Sequence, residues 1–349
     1  MAAEGKNKSK WGILAACAAV AALTGLFVYD AVVNVPEYTN SELAMGTVVT
    51  QTLKGYGAEE TADTVVKNIN NLEYKYLSWR IADSDIAKIN KAAGSGFTPG
   101  ENTAGWIRQT LDICQSSAGA FDITVGKLTA LWDIGGENQR LPEQNEIDEL
   151  LSGVGWDKIT MPGNAVAIND GQSLDMGAVG KGIACDEAAK ILAQSKVKSA
   201  VVSVGGSILL YGKGKDVRVG VRSPLGGAND YMGVLTLKNC FISTSGNYEK
   251  FFTVGDKVYH HILNPGTGYP ADSGLTSVTV VCDSGLTADA LSTACFVLGY
   301  EKSLPLLALY NAEAIFIANN NTVRVTGGLT DKFEITDSEF PLASTGAAR

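Results

Sequence analysis

The stretch Val201-Val-Ser-Val-Gly-Gly-Ser-Ile-Leu-Leu-Tyr211, followed closely by Val217-Arg-Val-Gly-Val221 and Val234-Leu-Thr-Leu237, decides the fold. Runs of four or five β-branched and apolar residues, cut by Gly, Asn and Asp, predict short strands joined by tight turns. Val278-Thr-Val-Val281 adds another. Strands that follow one another without an intervening helix pair antiparallel, so the expected class is α+β rather than a doubly wound parallel sheet. Helices flank this core in sequence. Val65, Ile69, Leu72 and Tyr76 form a helical stripe, and Ser84 is placed to cap a helix carrying Ile86 and Ile89. Ile147, Leu150 and Leu151 predict another. Ile183, Glu187, Ala188, Ile191 and Leu192 predict a helix after a glycine-rich turn, and Ala288 to Leu298 one more.

The chain has 349 residues, 45% of them hydrophobic and 19% charged, enough to bury a sizeable core. Its net charge of −9 and the lack of a basic run argue against nucleic acid as a partner. The amino terminus differs from the rest. Met1 to Lys10 carries Lys6, Lys8 and Lys10, and Trp11 to Tyr29 then runs without a charge, long enough as a helix to span a bilayer core. Lysines before the segment and acids after it place the bulk of the chain outside the cytoplasm. Three readings stay open for this segment: a retained membrane helix, a cleaved signal peptide, and lipidation at Cys17 within Leu14-Ala-Ala-Cys17. With the helix retained, residues 1–10 form a cytoplasmic tail, 11–33 the anchor and 34–43 a linker containing Pro36. Residues 44–340 then form one domain and 341–349 a tail. Five Cys remain beyond the anchor, none in a C-x-x-C pair, and the chain has two His, so neither a disulfide framework nor a zinc site is implied.

Familiar nucleotide motifs fail. Gly177-Ala-Val-Gly180-Lys181-Gly182 has too few residues between its glycines for a phosphate-binding P-loop, and no Ser or Thr follows the Lys. Gly212-x-Gly214 is followed by Val217, where a dinucleotide fold wants its third glycine, and Gly205-Gly-Ser207-Ile-Leu209 lacks the closing Gly of a serine-hydrolase elbow. Three clusters keep a chemical reading. On the helix from Thr287, Asp289, Ser292 and Thr293 share one face: either oxygen ligands for a hard cation such as Mg2+, or a carboxylate facing the helix dipole beside solvated hydroxyls. Asp175 and Lys181 flank a glycine-rich turn that opens a helix: either an anion cradle, or a tight turn with a surface salt bridge. His260 and His261 end a strand before Pro265-Gly266, a place for a proton carrier or for structural histidines.

Together with Met45-Gly-Thr47, Leu77-Ser-Trp-Arg80, Asp83-Ser-Asp-Ile86, Gly119-Ala-Phe-Asp-Ile-Thr-Val-Gly126, Ser203-Val-Gly-Gly206 and Ser243-Thr-Ser-Gly246, these clusters come in an order that resembles the ApbE family of flavin transferases. The resemblance runs from about Met45 to at least Tyr300. It implies an α+β, T-fold-like domain with antiparallel sheets and flanking helices, here preceded by one transmembrane helix. It further implies Mg2+-dependent transfer of FMN from FAD to a Ser or Thr hydroxyl of an exported or membrane electron-transfer protein, with release of AMP. By the same resemblance Met45, Trp79, Ala120, Phe121, Asp122, Asp175, Lys181 and Leu263 would contact FAD. The magnesium site would comprise the carbonyl of Ala178, Asp289 and Thr293, with Ser292 beside them. Asn264 stands where many members carry Asp.

In that reading Asp289 holds the metal, which neutralises charge at the pyrophosphate, Lys181 adds a further positive charge, and His261 takes the proton of the attacking hydroxyl. Its partners are FAD, an acceptor protein with a Ser/Thr flavinylation motif, and the membrane through the N-terminal helix. The expected location is a bacterial cell membrane, single-pass, with the catalytic domain outside the cytoplasm or, in the alternative, anchored as a lipoprotein at Cys17. Two other activities suit the same residues: Mg2+-dependent hydrolysis of FAD to FMN and AMP, and membrane-tethered FAD binding without turnover.

Overall fold

The structure is a computed structural model that describes residues 35–343 except 213, 214 and 228. The apolar segment 11–33, Cys17 and the last six residues of the expected tail lie outside the described residues. Among the described residues no helix is long and apolar enough to cross a membrane.

Strands β1 (Glu37–Ala44) and β2 (Thr47–Gly55) open the fold, followed by α1 (Ala58–Asn71) and a π-helical turn (Leu72–Leu77). Next come α2 (Asp85–Lys91), α3 (Glu101–Ser116), α4 (Gly126–Trp132), α5 (Gln144–Leu151) and α6 (Gly180–Ala193). The strand-rich part holds β3 (Val197–Val204), β4 (Ser207–Gly212), β5 (Val217–Arg222), β6 (Tyr231–Leu237), β7 (Cys240–Gly246), β8 (Phe251–Val254), β9 (Lys257–His260) and β10 (Leu275–Cys282). The chain finishes with α7 (Gly285–Leu298), α8 (Tyr300–Leu309), β11 (Glu313–Ala318), β12 (Val323–Val325) and β13 (Phe333–Ile335).

Eight strands form one antiparallel sheet in the order β1-β2-β3-β4-β7-β10-β11-β12. The α+β expectation holds, but β5 and β6 leave that sheet and pair with β13 in a three-stranded sheet of their own. Alternation along the strands sorts the layers. Leu209 and Phe241 face the helical core, whereas Leu210 and Ile242 face the small sheet with Val221, Met232 and Leu235. Ser207 and Ser243 point to the helical side, two buried hydroxyls in an otherwise apolar interface.

Two expected boundaries are corrected. Residues 37–43, read as linker, belong to β1, which pairs with β2 over eight residues. As an edge strand with a largely exposed pattern, its Glu-Tyr-Thr-Asn-Ser-Glu run shows no buried alternation, and cross-strand hydroxyl pairs such as Thr39 with Thr52 (3.1 Å) support the pairing. At the other end Ala343, read as tail, donates its N–H to the Val323 carbonyl (2.8 Å). The stripe through Val65, Ile69 and Leu72 is buried in α1 and the turn after it. There the helix widens to π geometry, which puts Tyr76 edge-on against Trp106 with centroids 5.9 Å apart.

Helices α6 and α7 cross at Gly182 and Gly285 with their backbones in contact. A Cβ built on Gly182 would lie 2.1 Å from the Gly285 carbonyl oxygen, and one on Gly285 would lie 2.2 Å from the Gly182 oxygen. Only glycine permits that approach. Gly182→Ala should therefore destabilise the fold by about 3 kcal/mol through overpacking against backbone, read as a fall in melting temperature on the order of 5–10 °C; an unchanged melting temperature would contradict the packing at this crossing.

Candidate active site

Each of the two crossing helices supplies a carboxylate to the start of the other. Asp289, in the second turn of α7, is 3% exposed and accepts the Gly182 N–H of α6 on Oδ2 at 2.6 Å. Its Oδ1 accepts the hydroxyls of Ser207 and Ser243, each at 2.5 Å. Asp186 of α6 reciprocates: Oδ1 accepts the Gly285 N–H at 2.7 Å and Oδ2 the Leu286 N–H at 2.8 Å. These are N–H groups that a helix start leaves without intrahelical partners, and a negative charge there is favoured by the helix dipole. Burial raises the Asp186 pKa, and its hydrogen bonds to Leu286, Gly285 and Ser284 hold that rise in check.

Hydroxyls extend the polar patch. Ser245, two residues beyond Ser243 on the same face of β7, pairs with Ser292 (2.8 Å) and Thr293 (3.2 Å) of α7. Ser292 also donates to the Asp289 carbonyl (2.9 Å). The bland reading of solvated hydroxyls fails, because Asp289 and Ser292 are buried and face β4 and β7 rather than water.

Whether this patch suits a hard cation can be judged from its donors. A carboxylate offers about four lone-pair positions, and three are filled by Gly182, Ser207 and Ser243, which leaves one on Oδ2. Thr293 is half-buried beside it, and the exposed Ala178 carbonyl, which takes no hydrogen bond among the described residues, lies just ahead of α6. One carboxylate, one hydroxyl and one carbonyl make an all-oxygen set of the type Mg2+ takes. No group of three or more His, Cys, Asp or Glu able to hold a metal exists among the described residues.

The loop ahead of α6 is fixed from several directions. Asn90 of α2 brackets Leu174, accepting its N–H (2.7 Å) and donating to its carbonyl (2.9 Å). Asp175 donates its N–H to Ile123 (2.8 Å), which lays the Gly119–Gly126 run alongside it, and its own Oδ1 accepts the Gly177 N–H (2.8 Å). The surface salt bridge of the alternative reading is not found: Lys181 is half-buried and forms no ion pair among the described residues. Met45 lies against the start of α6, its Cε 3.1 Å from where a Gly180 Cβ would be, and Leu77 approaches the same point. Trp79, two residues on, is half-buried with the Arg80 guanidinium 4.0 Å from its ring centre.

Three of the expected contact residues have protein partners. Phe121 is 3% exposed and belongs to the main core, whereas Ala120 is half-buried. Asp122 is buried, with Oδ1 accepting from the Thr124 N–H (2.8 Å) and hydroxyl (2.6 Å) and Oδ2 from the Trp156 N–H (2.9 Å). Desolvation raises its pKa despite those bonds. Its carboxylate thus locks the loop that runs beside Asp175. Leu263 pairs with Pro270 across a turn in which the Asn264 side chain accepts the Gly266 N–H (2.9 Å), a bond that Asp or Asn makes equally well. Trp132 of α4 ties down this turn by donating to the Gly268 carbonyl (2.8 Å).

The two histidines separate cleanly. Both ring nitrogens of buried His260 have partners, Nε2 with the Ala271 carbonyl (3.0 Å) and Nδ1 with the Ile262 N–H (3.3 Å). His261 is exposed and sets Nδ1 against the Lys250 carbonyl (3.3 Å), a contact that keeps the proton on Nδ1 and leaves Nε2 as an acceptor. Desolvation by the surrounding protein pushes its pKa down to about 4, opposed by the hydrogen bond to the Lys250 carbonyl and helped by the charges of His260, Lys250 and Lys181. Ser207, Ser243, Ser245 and Asp186 are the residues that sequence reasoning did not assign. Serines at positions 243 and 245, alternating on the core side of a strand, are the signal that marks them.

The family model described as the ApbE family matches residues 45–316. The FAD:protein FMN transferase of Treponema pallidum (strain Nichols) is 31% identical over 333 residues, covering 88% of this chain and 92% of that protein. The Escherichia coli (strain K12) protein of the same name is 31% identical over 278 residues, covering 74% and 78%. Among solved structures, the ApbE protein of Thermotoga maritima superposes with a TM-score of 0.79 at 29% identity, covering 85% of this chain and 99% of that one. The apo flavinyl transferase ApbE of Pseudomonas stutzeri gives 0.75 at 25% identity, covering 85% and 97%.

Removing the Asp186 carboxylate leaves the Gly285 and Leu286 N–H groups without an acceptor. Asp186→Ala is expected to cost about 2 kcal/mol, measurable by urea denaturation, with Asp186→Asn intermediate because its amide offers one acceptor instead of two. Equal stability of all three proteins would refute the reciprocal capping.

Proposed function

The chain belongs to the ApbE family, and on that premise we propose that its site moves the FMN moiety of FAD onto a Ser or Thr hydroxyl of an acceptor protein, in a Mg2+-dependent reaction that releases AMP. The observation that carries this reading is the oxygen patch centred on Asp289 at the start of α6, with Met45 over that same start. Asp289 Oδ2, Thr293 and the Ala178 carbonyl would hold Mg2+, which when bound polarises a phosphoryl oxygen and offsets the charge developing on the departing AMP.

The chain's own residues account for the rest. The free N–H groups and dipole at the start of α6, with the Lys181 ammonium, favour the anionic pyrophosphate beside them. His261 Nε2 accepts the proton of the acceptor hydroxyl as its oxygen bonds to the phosphorus of the FMN half. The bond from that phosphorus to the bridging oxygen then breaks, and AMP departs with the electron pair. His261 suits this task because Nδ1 is committed to Lys250 and desolvation keeps the ring neutral at pH 7. The exposure of His261 also admits water, which favours hydrolysis of FAD to FMN and AMP as a side reaction when no acceptor is present. A further part of the proposal is the address: the charge-free run Trp11 to Tyr29 would hold the domain at the outer face of a bacterial cell membrane, where membrane-bound acceptors are within reach.

The full chain, incubated with FAD, Mg2+ and a flavin-acceptor protein, should raise the acceptor's mass by FMN. EDTA should abolish the adduct and Asp289→Ala should slow it by about a hundredfold. The active form of His261 is the neutral ring, present above its folded pKa, so the acid limb of the rate should fall well below the ordinary imidazole range near 6.5 and vanish in His261→Ala. No adduct under any of these conditions would overturn the transferase reading. An adduct rate unaffected by Asp289→Ala would overturn the metal assignment alone.

A further inference from the structure

We infer that Glu73 is a positioning residue for cofactor binding, acting through the backbone of Met45. The hairpin between β1 and β2 closes at the Ala44 and Thr47 pair, so Met45 and Gly46 alone make the turn, with φ of 51° and 66°. Two-residue turns with both φ values positive are built from Asn, Asp and Gly, whose short or absent side chains tolerate the left-handed region. Methionine has no such advantage. What holds it is remote in sequence: Glu73 Oε2 accepts the Met45 N–H at 2.9 Å.

Glu73 reaches that N–H because of the π-helical turn at Leu72–Leu77. The Glu73 carbonyl accepts the Ser78 N–H five residues on, and the wider turn presents Glu73 to the hairpin while Leu72 and Leu77 stay buried. The Met45 side chain then lies over Gly180, two residues before the Gly182 N–H that binds Asp289. Leu77 also touches the Gly180 position, and Trp79 follows it. One carboxylate thus sets Met45 in register with the start of α6 and with the segment carrying Trp79. Glu73 itself is half-buried and uses its bond on a backbone N–H, so its effect is on where Met45 stands rather than on the reacting atoms. The inference rests on the proposed binding of FAD at this site.

The test measures FAD affinity of the full chain by quenching of flavin fluorescence, together with hydrogen exchange of the 43–48 hairpin without ligand. Glu73→Ala should weaken FAD binding about tenfold, speed exchange in the hairpin, and leave kcat at saturating FAD within about twofold. Glu73→Asp keeps the charge but is one methylene too short, and should behave like Glu73→Ala. Glu73→Gln retains the acceptor oxygen and should restore both readouts. In a Met45→Gly background, which accepts the left-handed turn unaided, adding Glu73→Ala should change affinity little, because the two residues act as one unit. Unchanged affinity and exchange in Glu73→Ala, failure of Glu73→Gln to restore them, or full additivity with Met45→Gly would each overturn the inference. A wild-type chain that binds no FAD would instead remove the functional reading beneath it.

Discussion

Two helix starts meet backbone to backbone at Gly182 and Gly285, and each is held by a carboxylate from the other helix. Asp289 binds the N–H of Gly182, and Asp186 binds those of Gly285 and Leu286. The arrangement is self-consistent: the glycines allow the approach, the approach brings each Asp to the other's free N–H groups, and those groups satisfy charges that would otherwise be buried without partners. Most of the site depends on this crossing. The glycine-rich turn, Lys181 and the Met45 contact belong to the start of α6, while Ser292 and Thr293 belong to α7. The serines of β4 and β7 join them through Asp289.

This geometry suits the proposed hard-cation site, which would be built with a single acidic side chain. A cluster of carboxylates would repel itself in a buried setting. Here Asp289 is oriented by an N–H and two hydroxyls, which fix its rotamer and leave one lone pair, and neutral oxygens complete the set. The same three donors keep a solitary buried carboxylate satisfied before any ion arrives.

Much of this was legible in the sequence. The valine-rich strands, the helix after the glycine-rich turn and the oxygen face of α7 all follow from periodicity, and Ser84 caps α2 by accepting the Ala87 N–H as its position predicts. What escaped has physical reasons. Strand β1 is an exposed edge with no buried alternation, so its polar residues read as linker. The π turn breaks the 3.6-residue stripe after Leu72, and only the tertiary contact from Glu73 to Met45 gives it a purpose. The departure of β5 and β6 into a second sheet depends on β13, about a hundred residues later, a pairing that local pattern does not encode. Asp186 looked like one more polar residue on an amphipathic helix. Its role exists only once α7 crosses α6. Asp122, expected beside a ligand, also accepts from the Thr124 N–H and hydroxyl and from the Trp156 N–H, bonds that a local sequence pattern does not announce.

The Asp289 carboxylate fixes the start of α6 by accepting the Gly182 N–H, in addition to its proposed part in the cation site. Hydrogen exchange at the Gly182 amide, compared between the wild-type chain and Asp289→Ala in the absence of metal and flavin, tests it most directly. The Gly182 amide should be protected in the wild type and lose that protection in the variant, while amides in the middle of the large sheet keep theirs. Equal protection of Gly182 in both proteins would contradict it, leaving Asp289 as a ligand with no part in holding the helix.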